Sequence, residues 1–425
     1  MEKVFNEDIK EYIYSKKLSN GLDVYMMPRD DYHRQYAIFA TRFGSNDINF
    51  KISDELVKVP QGIAHFLEHK LFEGKKGDIF SKFASIGASA NAFTNYNTTA
   101  YLFTSTEKFK TSLISLIDFV QEPYFAEKSV EKEKGIIAQE IKMYDDEPNY
   151  KAYTNMLSAM YQKHPVRNDI AGTVESVYSI TREDLYRCYN SFYHPENMVL
   201  FMIGGFDPVD MSGIIEDNQN NKEFPEWNNV QRIFPEEPTQ IKNKKIVNVM
   251  QVAKPIIRLG FKETVFPDKP LELVKQELGT EMLLDLIIGK GSKLYQTLYD
   301  SGLVDDRFHN YYILEDDYGY ILMGGETKSP DELYKRIMEG IQIEIDKVLN
   351  EKDFKRVYKK YLGGYIESYN SFKTTATEYI NYYFKDVNYF DIIKIMQEID
   401  LEYLTARYNK IINEQFAVSS IIMSK

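Results

Sequence analysis

The chain has 425 residues and a net charge of −12, which allows two or three domains and disfavours nucleic-acid binding, because phosphate binding depends on clustered Lys and Arg. Its single cysteine, Cys188, excludes an intrachain disulfide and a thiolate metal cluster, and it fits a reducing compartment. No run of 18 apolar residues and no apolar leader at the N-terminus occurs, so we expect a cytoplasmic protein without an integral membrane segment.

The first half of the chain alternates predicted strands and helices. LDVYMM (22–27) and YAIFATRF (36–43) predict strands, a helix is expected through His65 and His69, and ASANAFTNY with TAYLFTST predicts a hairpin over 88–106. Four helices are expected next, at about 107–120, 128–146, 150–161 and 182–193, followed by a strand at 198–205. Thr181 and Asp184 resemble a capping box, with Asp in place of the usual Glu or Gln.

The second half repeats this order of elements. In both halves a short helix ends at a glycine (Gly87, Gly302), and two strands and a capped helix follow. Residues 206–245 between the halves are rich in Asn, Pro and charge and show little periodicity, which indicates a linker. We therefore predict an α+β fold with two homologous domains from an internal duplication, each an antiparallel-rich sheet packed against helices. The predicted division is 1–222 for the first domain, 223–245 for the linker and 246–425 for the duplicated domain.

Two of the six histidines form an H-x-x-E-H motif in the segment GIAHFLEHKLFEG. Each helical residue advances by ~100°, so His65 and His69 lie ~40° apart on one face and both imidazoles can reach one metal ion. Glu68 lies on the flank of that face, where it can contact a water on the ion without binding the ion. This arrangement inverts the H-E-x-x-H zinc motif. The alternative is two partly exposed histidines on an amphipathic helix, which the rarity of the pattern disfavours.

A carboxylate is the expected third ligand of this site. Catalytic zinc is usually held by three protein ligands and a water, and the other histidines and the thiol are scattered along the chain. In SVEKEKGIIAQEIKMY, Glu133 and Glu140 are ~20° apart on a helix and lie within an apolar stripe, where a carboxylate is costly to bury without a cation. Taken alone, this stripe is also typical of a solvated, charged seam. The neighbouring H-x-x-E-H motif favours metal binding.

These residues resemble the pitrilysin/insulinase family of zinc peptidases, which includes the mitochondrial processing peptidases. The resemblance rests on HFLEH, GASANAFT, EKEKGIIAQEI and SITREDLYRCYNSFYHPENMVLFMIGG, and it extends more loosely over the duplicated half. It implies zinc held by His65, His69 and Glu140, with Glu68 as the general base and Glu133 as a nearby acid that does not bind the ion. It also implies that the chain folds as one half of a pitrilysin-like clamshell, like the short bacterial members, some of which mature small peptides.

The strand in GASANAFTNY is the predicted substrate-binding element. Its small residues leave room for another backbone, and alternation places Asn91 and Phe93 on the same face. An extended peptide can pair with such an edge through main-chain hydrogen bonds, so we predict that Ala90, Asn91, Ala92 and Phe93 bind substrate. The resemblance adds that the asparagine lies near the scissile bond. A half-buried hairpin without a ligand is the alternative.

The duplicated half departs from the family pattern. Aligning the halves at Gly74 and Gly289 places Thr280, Leu283 and Leu284 where the motif residues stand, so no second metal site is expected. Many family members supply an arginine and a tyrosine from the second half. Here Tyr299 stands at the arginine position and Asp305 or Asp306 at the tyrosine position.

The sequence therefore predicts a zinc-dependent endopeptidase that hydrolyses peptides or small unfolded proteins. Because long family members close a chamber with four domains, we expect this shorter chain to act as a dimer. An acidic residue near a developing oxyanion is unfavourable, so a heterodimer with a metal-free paralogue is expected rather than a homodimer. The alternative function is a non-enzymatic, peptide-binding or partner-stabilising subunit of a heterodimeric peptidase.

Overall fold

The computed structural model describes residues 1–75 and 77–425, with the side chains of 343–348 excepted. Its strands, numbered in chain order, are β1 (Glu2–Asn6), β2 (Glu11–Lys17), β3 (Asp23–Pro28), β4 (Gln35–Thr41), β5 (Asn49–Ile52), β6 (Glu55–Lys58), β7 (Glu73–Gly74), β8 (Gly77–Asp78), β9 (Ala88–Thr94), β10 (Thr99–Ser105), β11 (Met198–Gly204), β12 (Val230–Arg232), β13 (Lys245–Met250), β14 (Ile256–Lys262), β15 (His309–Leu314), β16 (Gly319–Glu326) and β17 (Ala417–Ser424). Its α-helices are α1 (Ile63–Leu71), α2 (Ile79–Ser85), α3 (Phe109–Gln121), α4 (Glu127–Asp145), α5 (Pro148–Met160), α6 (Val174–Ser179), α7 (Arg182–Phe192), α8 (Pro208–Asn220), α9 (Pro270–Ile288), α10 (Lys293–Asp300), α11 (Pro330–Val348), α12 (Glu351–Ser368), α13 (Phe372–Tyr383), α14 (Ile392–Gln397) and α15 (Leu401–Ile411).

The elements predicted for the first half form close to their expected positions. The predicted strands correspond to β3, β4, β9, β10 and β11, and the four predicted helices correspond to α3, α4, α5 and α7. The capping box at α7 is confirmed: the Asp184 amide donates to the Thr181 hydroxyl at 3.1 Å, and the Thr181 amide donates to the Asp184 carboxylate at 3.0 Å. Apolar periodicity was therefore a sufficient guide to these elements.

The expectation that residues 206–245 lack regular structure is wrong at two places. Helix α8 begins at Pro208, its N-terminus is capped by the Asp207 carboxylate, and it buries Met211 and Ile215. Strand β12 pairs antiparallel with β5. The apolar face of α8 is narrow and most of its other positions are polar, so its composition concealed the helix.

The first compact unit comprises residues 1–141, 169–234 and 368–384. Its main sheet has the strand order β1-β2-β3-β11-β4-β10-β9, in which β11 is parallel to β3 and antiparallel to β4. Helices α1, α3 and α4 contribute to a core that includes Phe66, Leu116 and Ile137. Helix α13 packs on β4 and β11, where Tyr379 stacks on Phe201 with ring centroids 4.5 Å apart.

The second compact unit comprises residues 142–168, 235–367 and 385–425. Its sheet has the order β13-β17-β14-β16-β15, with β13 parallel to β17 and the other pairs antiparallel. This order and these directions repeat β3-β11-β4-β10-β9 of the first unit, so the predicted α+β duplication is confirmed. Among the described residues, no helix is long and apolar enough to cross a membrane.

The compact units are not continuous in sequence, because two equivalent helices are exchanged. Helix α5 follows α4 in the chain but belongs to the second unit, where Ala152 packs with Ile256 and Ile422. Its counterpart α13, which follows α12, belongs to the first unit. The predicted division into 1–222, 223–245 and 246–425 separates homologous stretches of sequence, and it stays a prediction. The compact units are a different division of the chain, because they cross these boundaries.

Candidate metal centre

Helix α1 carries the H-x-x-E-H motif on its less buried face. Gly62, just before the helix, has φ of 86°, and a Cβ there would lie 2.2 Å from the carbonyl oxygen of Ala171, so the position requires glycine. The helix buries Ile63, Ala64, Phe66 and Leu67 against the core. The same amphipathic pattern leaves the two histidines and the glutamate of the motif half-buried toward α4 and β9.

The nitrogen atoms of the two histidines converge on one carboxylate. His65 Nε2 lies 3.8 Å from Glu140 Oε1, and His69 Nε2 lies 3.5 Å from Glu140 Oε2. One ligand atom from each of these residues lies within 4.8 Å of the others, and no other such group occurs among the side chains that the structure describes. Zinc bonds of about 2.0–2.2 Å in tetrahedral geometry separate two ligand atoms by about 3.4 Å. The spacing is long for hydrogen bonds and fits three ligands of one ion.

Glu133 contacts the other nitrogen of a ligand histidine. His69 Nδ1 lies 3.0 Å from Glu133 Oε1, so the ring proton on Nδ1 is donated to Glu133 and Nε2 faces Glu140. Histidines that bind metals generally make such a hydrogen bond, which fixes the tautomer and the orientation of the ring. The structure thus brings Glu133 beside His69 and Glu140 beside both histidines.

The two histidines differ in their ionisation. Burial lowers the pKa of His65 to about 3, and the neighbouring His69 adds to the effect, so His65 is neutral and able to bind a metal. Burial also opposes protonation of His69, but the hydrogen bond to Glu133 and the charges of Glu140 and Glu68 outweigh it and raise the pKa of His69. The carboxylates around His69 therefore create a site that favours positive charge.

Glu68 lies outside the converging group and has a partner of its own. Its Oε2 accepts a hydrogen bond of 2.6 Å from the hydroxyl of Thr94, at the end of β9. Burial raises the pKa of Glu68, although the Thr94 hydrogen bond and His69 partly offset this shift. A half-buried carboxylate with a raised pKa, next to a candidate metal site, is suited to act as a general base.

Strand β9 forms one edge of the first unit's sheet, so its outer side is open to another strand. Asn91 is exposed, whereas Ala90, Ala92 and Phe93 are half-buried. The Ala92 amide donates to the side-chain oxygen of Asn91 at 2.9 Å, so this amide points away from β10. Because Thr94 of the same strand contacts Glu68, the open edge runs into the candidate metal centre.

Two contacts of the site were missed by the sequence analysis. One is the contact of Thr94 with Glu68. The sequence shows that Thr94 lies on the same face of its strand as Ala92, but its hydrogen bond to Glu68 depends on how β9 packs against α1. The other is Lys70, which is fully buried and donates to Glu73 and, at 2.5 Å, to Ser129. Because Ser129 lies in the first turn of α4, Lys70 ties the helix of the two histidines to the helix of Glu140.

The positions singled out in the second half are arranged differently. Thr280, Leu283 and Leu284 are buried on α9 and form no metal-binding group within the described part of the chain. Tyr299 is exposed and stacks on Tyr295 with centroids 6.0 Å apart. Arg307 forms ion pairs with Asp305 at 2.6 Å and with Glu326 at 2.7 Å. The hydrogen bond from Arg307 to Asp305 lowers the pKa of Asp305. The negative charge at Asp305 is therefore paired.

Comparison with known proteins places these features in a family. Residues 58–174 match the family described as Insulinase (Peptidase family M16), and residues 179–361 match the Peptidase M16 inactive domain. A zinc protease of Bacillus subtilis (strain 168), YmfH, described as uncharacterized, is 40% identical over 421 residues, covering 99% of this chain and 97% of YmfH. An uncharacterized zinc protease of Rickettsia bellii is 31% identical over 207 residues, or 47% of this chain and 48% of that protein.

Solved structures agree with this comparison. An M16-like peptidase from Alicyclobacillus acidocaldarius has a TM-score of 0.94 at 40% identity, covering 97% of this chain and 98% of that chain. A protease from Helicobacter pylori has a TM-score of 0.81 at 18% identity, covering 97% and 99%, which supports the fold alone.

Proposed function

The chain belongs to peptidase family M16, the insulinase family, and from that premise we propose that it is a zinc-dependent endopeptidase that hydrolyses peptides or small unfolded proteins. The observation that carries this proposal is the convergence of His65, His69 and Glu140 beside the carboxylate of Glu68, which stays outside the converging group. A binding module would not need a base held next to a metal site. A cytoplasmic location is part of the same proposal and rests on the presence of a single cysteine, which fits a reducing compartment.

In this proposal His65, His69 and Glu140 hold the ion, and Glu133 orients His69. Bound zinc lowers the pKa of a water molecule and polarises a carbonyl group. Glu68 accepts the proton of the attacking water and returns it to the leaving amine. Thr94 holds one oxygen of Glu68 and leaves the other free to exchange that proton.

The substrate would bind as an added strand on the open edge of β9. The outward amide of Ala92 is available if the side chain of Asn91 gives way, and the half-buried Phe93 offers an apolar contact. Main-chain pairing gives affinity with little demand on sequence, so extended and flexible peptides are the favoured substrates. The excess of acidic residues in the chain favours basic peptides among them.

Two variants separate metal binding from proton transfer. Glu140→Gln is expected to lose most of the bound zinc, whereas Glu68→Gln is expected to retain about one zinc per chain and to lose turnover. Zinc content is measured by atomic absorption and turnover with an unstructured, internally quenched peptide. Normal turnover in Glu68→Gln would show that the roles are wrongly assigned. Zinc binding without cleavage, with or without a partner chain, would favour the non-enzymatic alternative.

We further propose that the working form is a dimer, with a metal-free paralogue as the second chain. What supports this is the sequence of the duplicated half, in which Tyr299 and Asp305 or Asp306 replace the arginine and tyrosine of the family pattern. A paralogue that retains both residues would supply positive charge and a hydroxyl that this chain lacks at those positions.

A further inference from the structure

Strand β13 has an open outer edge in the second unit. It is the first strand in the order β13-β17-β14-β16-β15, and among the described residues no strand pairs with its other side. Its counterpart in the first unit, β3, is covered by β2 and β1. The second unit therefore leaves exposed a strand edge that, in the first unit, the hairpin of β1 and β2 covers.

The hydrogen-bonding pattern shows which groups face outward. The amide of Ser419 in β17 donates to the carbonyl of Lys244 at 2.9 Å, so the backbone groups of Lys244 point toward β17. Because these groups alternate along a strand, those of Lys245, Val247 and Val249 point to the open edge. The side chains of Val247 and Val249 are 50% and 60% exposed. This edge therefore offers both unpaired backbone groups and apolar side chains.

The open edge lacks the features that normally block pairing. Natural edge strands are protected by Pro, by bulges or by charged side chains, especially Lys. The segment 245–250 (KIVNVM) contains no Pro, and its single lysine forms an ion pair of 2.5 Å with Asp331. An unprotected apolar edge is a site for strand addition.

The segment of sequence that contains β13 is basic, whereas the whole chain is acidic. Residues 238–262 contain no Asp or Glu, although the chain carries a net charge of −12. Lys242, Lys244 and Lys254 are exposed in this stretch, and the exposed Lys245 is paired with Asp331. The flanks of the open edge thus favour an acidic partner.

We propose that β13 binds an extended, acidic segment of a partner polypeptide as an added strand. A second copy pairing through the same edge would bring two lysine-rich flanks together, which opposes self-association. A lipid surface would suit the lysines and valines but would leave the outward backbone groups without hydrogen bonds, which is unfavourable. A peptide strand satisfies the backbone, the valines and the lysines together.

A proline substitution tests the backbone part of this proposal. Val247→Pro removes one outward amide and leaves the groups that pair with β17 intact, since proline is tolerated on the open side of an edge strand. The probe is a fluorescein-labelled nine-residue peptide of alternating Val and Glu, measured by fluorescence anisotropy in 50 mM salt. We expect Val247→Pro to raise the Kd about tenfold or more, and Val247→Thr, which keeps the amide, to change it less than about threefold.

Further variants separate this edge from the other open edge and test the charge. Ala92→Pro places the same substitution on β9 and should leave binding of the acidic peptide unchanged. Lys242→Glu combined with Lys244→Glu should raise the Kd about tenfold in 50 mM salt, with a smaller effect in 500 mM salt. Circular dichroism and the Tm of each variant establish that it is folded, and an unfolded Val247→Pro is replaced by Val249→Pro.

Each remaining outcome decides against the proposal. Loss of binding in Ala92→Pro but not in Val247→Pro would assign the peptide to β9 and overturn the proposal. Equal binding of a peptide of alternating Val and Lys would overturn the charge argument. Binding to vesicles of anionic phosphatidylserine but not to the acidic peptide would assign the edge to a membrane. A dimer of the lone protein that Val247→Pro dissociates would assign it to a second copy, and no binding of any probe would reject the site.

Discussion

Single contacts set the different roles of two adjacent residues in the H-x-x-E-H motif. His69 and Glu68 lie side by side, but His69 is held by Glu133 and directed toward Glu140, whereas Glu68 is held by Thr94. The carboxylate that binds His69 keeps its Nε2 available as a ligand. The hydroxyl that binds Glu68 keeps that carboxylate beside the site without drawing it into the ligand group.

Thr94 is predicted to position the base. Thr94→Val keeps the shape of the side chain and removes the hydroxyl, and we expect kcat to fall about 10- to 100-fold because a hydrogen bond to a charged group contributes about 1.5–3 kcal/mol. Zinc content and KM should be unchanged, and Thr94→Ser should restore most of the activity. Thr104→Val on β10 is the matched control. An unchanged kcat in Thr94→Val would rule out this role.

Glu133 is predicted to affect metal affinity rather than metal stoichiometry. Glu133→Gln weakens the hydrogen bond to His69 Nδ1, and removal of such a partner typically costs 10- to 100-fold in affinity. Competition with a chelator of known affinity measures the zinc Kd. Glu131→Gln, at an exposed position of the same helix, should leave the Kd unchanged. Equal affinities in the two variants would contradict the role given to Glu133.

The sequence predicts helical neighbours better than it predicts contacts between elements. His65 and His69 could be proposed because helical spacing shows that they share a face, and the same spacing groups Glu133 with Glu140. The resemblance to the zinc peptidase family then implied Glu140 as the third ligand. Thr94 and Lys70 could not be proposed, because their contacts depend on how β9 and α4 pack against α1. The same limit applies to β9, whose alternation was readable but whose edge position required the strand order.

At the scale of elements, substitution by alanine is expected to have opposite effects on stability at two glycines near the site. Gly62 has a positive φ and lies against Ala171, so Gly62→Ala should destabilise the fold by more than about 2 kcal/mol. Gly135 lies inside α4 with open space around its Cβ position, so Gly135→Ala should stabilise the fold by about 0.5–1 kcal/mol. Urea unfolding of the zinc-free protein measures both effects. Equal effects of the two substitutions would refute this distinction.

The exchange of α5 and α13 explains what the sequence could not predict about the fold. Strand and helix order was readable in both halves, because amphipathic periodicity is local. The unit against which each helix packs is decided by complementary apolar faces, as where Tyr379 of α13 packs on Phe201 and Ala152 of α5 packs with Ile256. Helix α8 was missed for a related reason, since only Met211 and Ile215 mark its buried face strongly.

At the scale of the whole molecule, the assembly proposal depends on charge near the scissile bond. Asp305 or Asp306 stands where the family pattern has a tyrosine, and the charge of Asp305 is balanced by Arg307, which also binds Glu326. Asp306 is exposed and Tyr299 offers no positive charge. A second copy of this chain would therefore bring no free cation from these positions to stabilise a developing oxyanion.

The last prediction concerns the purified chain alone and in the presence of a paralogue. We expect weak peptidase activity from the lone chain and full activity when a co-expressed paralogue, lacking the H-x-x-E-H motif but retaining the arginine and tyrosine, forms a 1:1 complex with it. Light scattering gives the mass of each species, and turnover of an internally quenched peptide gives the activity. Replacement of the paralogue's arginine by lysine should lower kcat with little change in KM, because that charge acts on the transition state more than on bound substrate. A lone monomer or homodimer with full turnover, in which Tyr299→Ala has no effect, would show that the chain needs no second subunit.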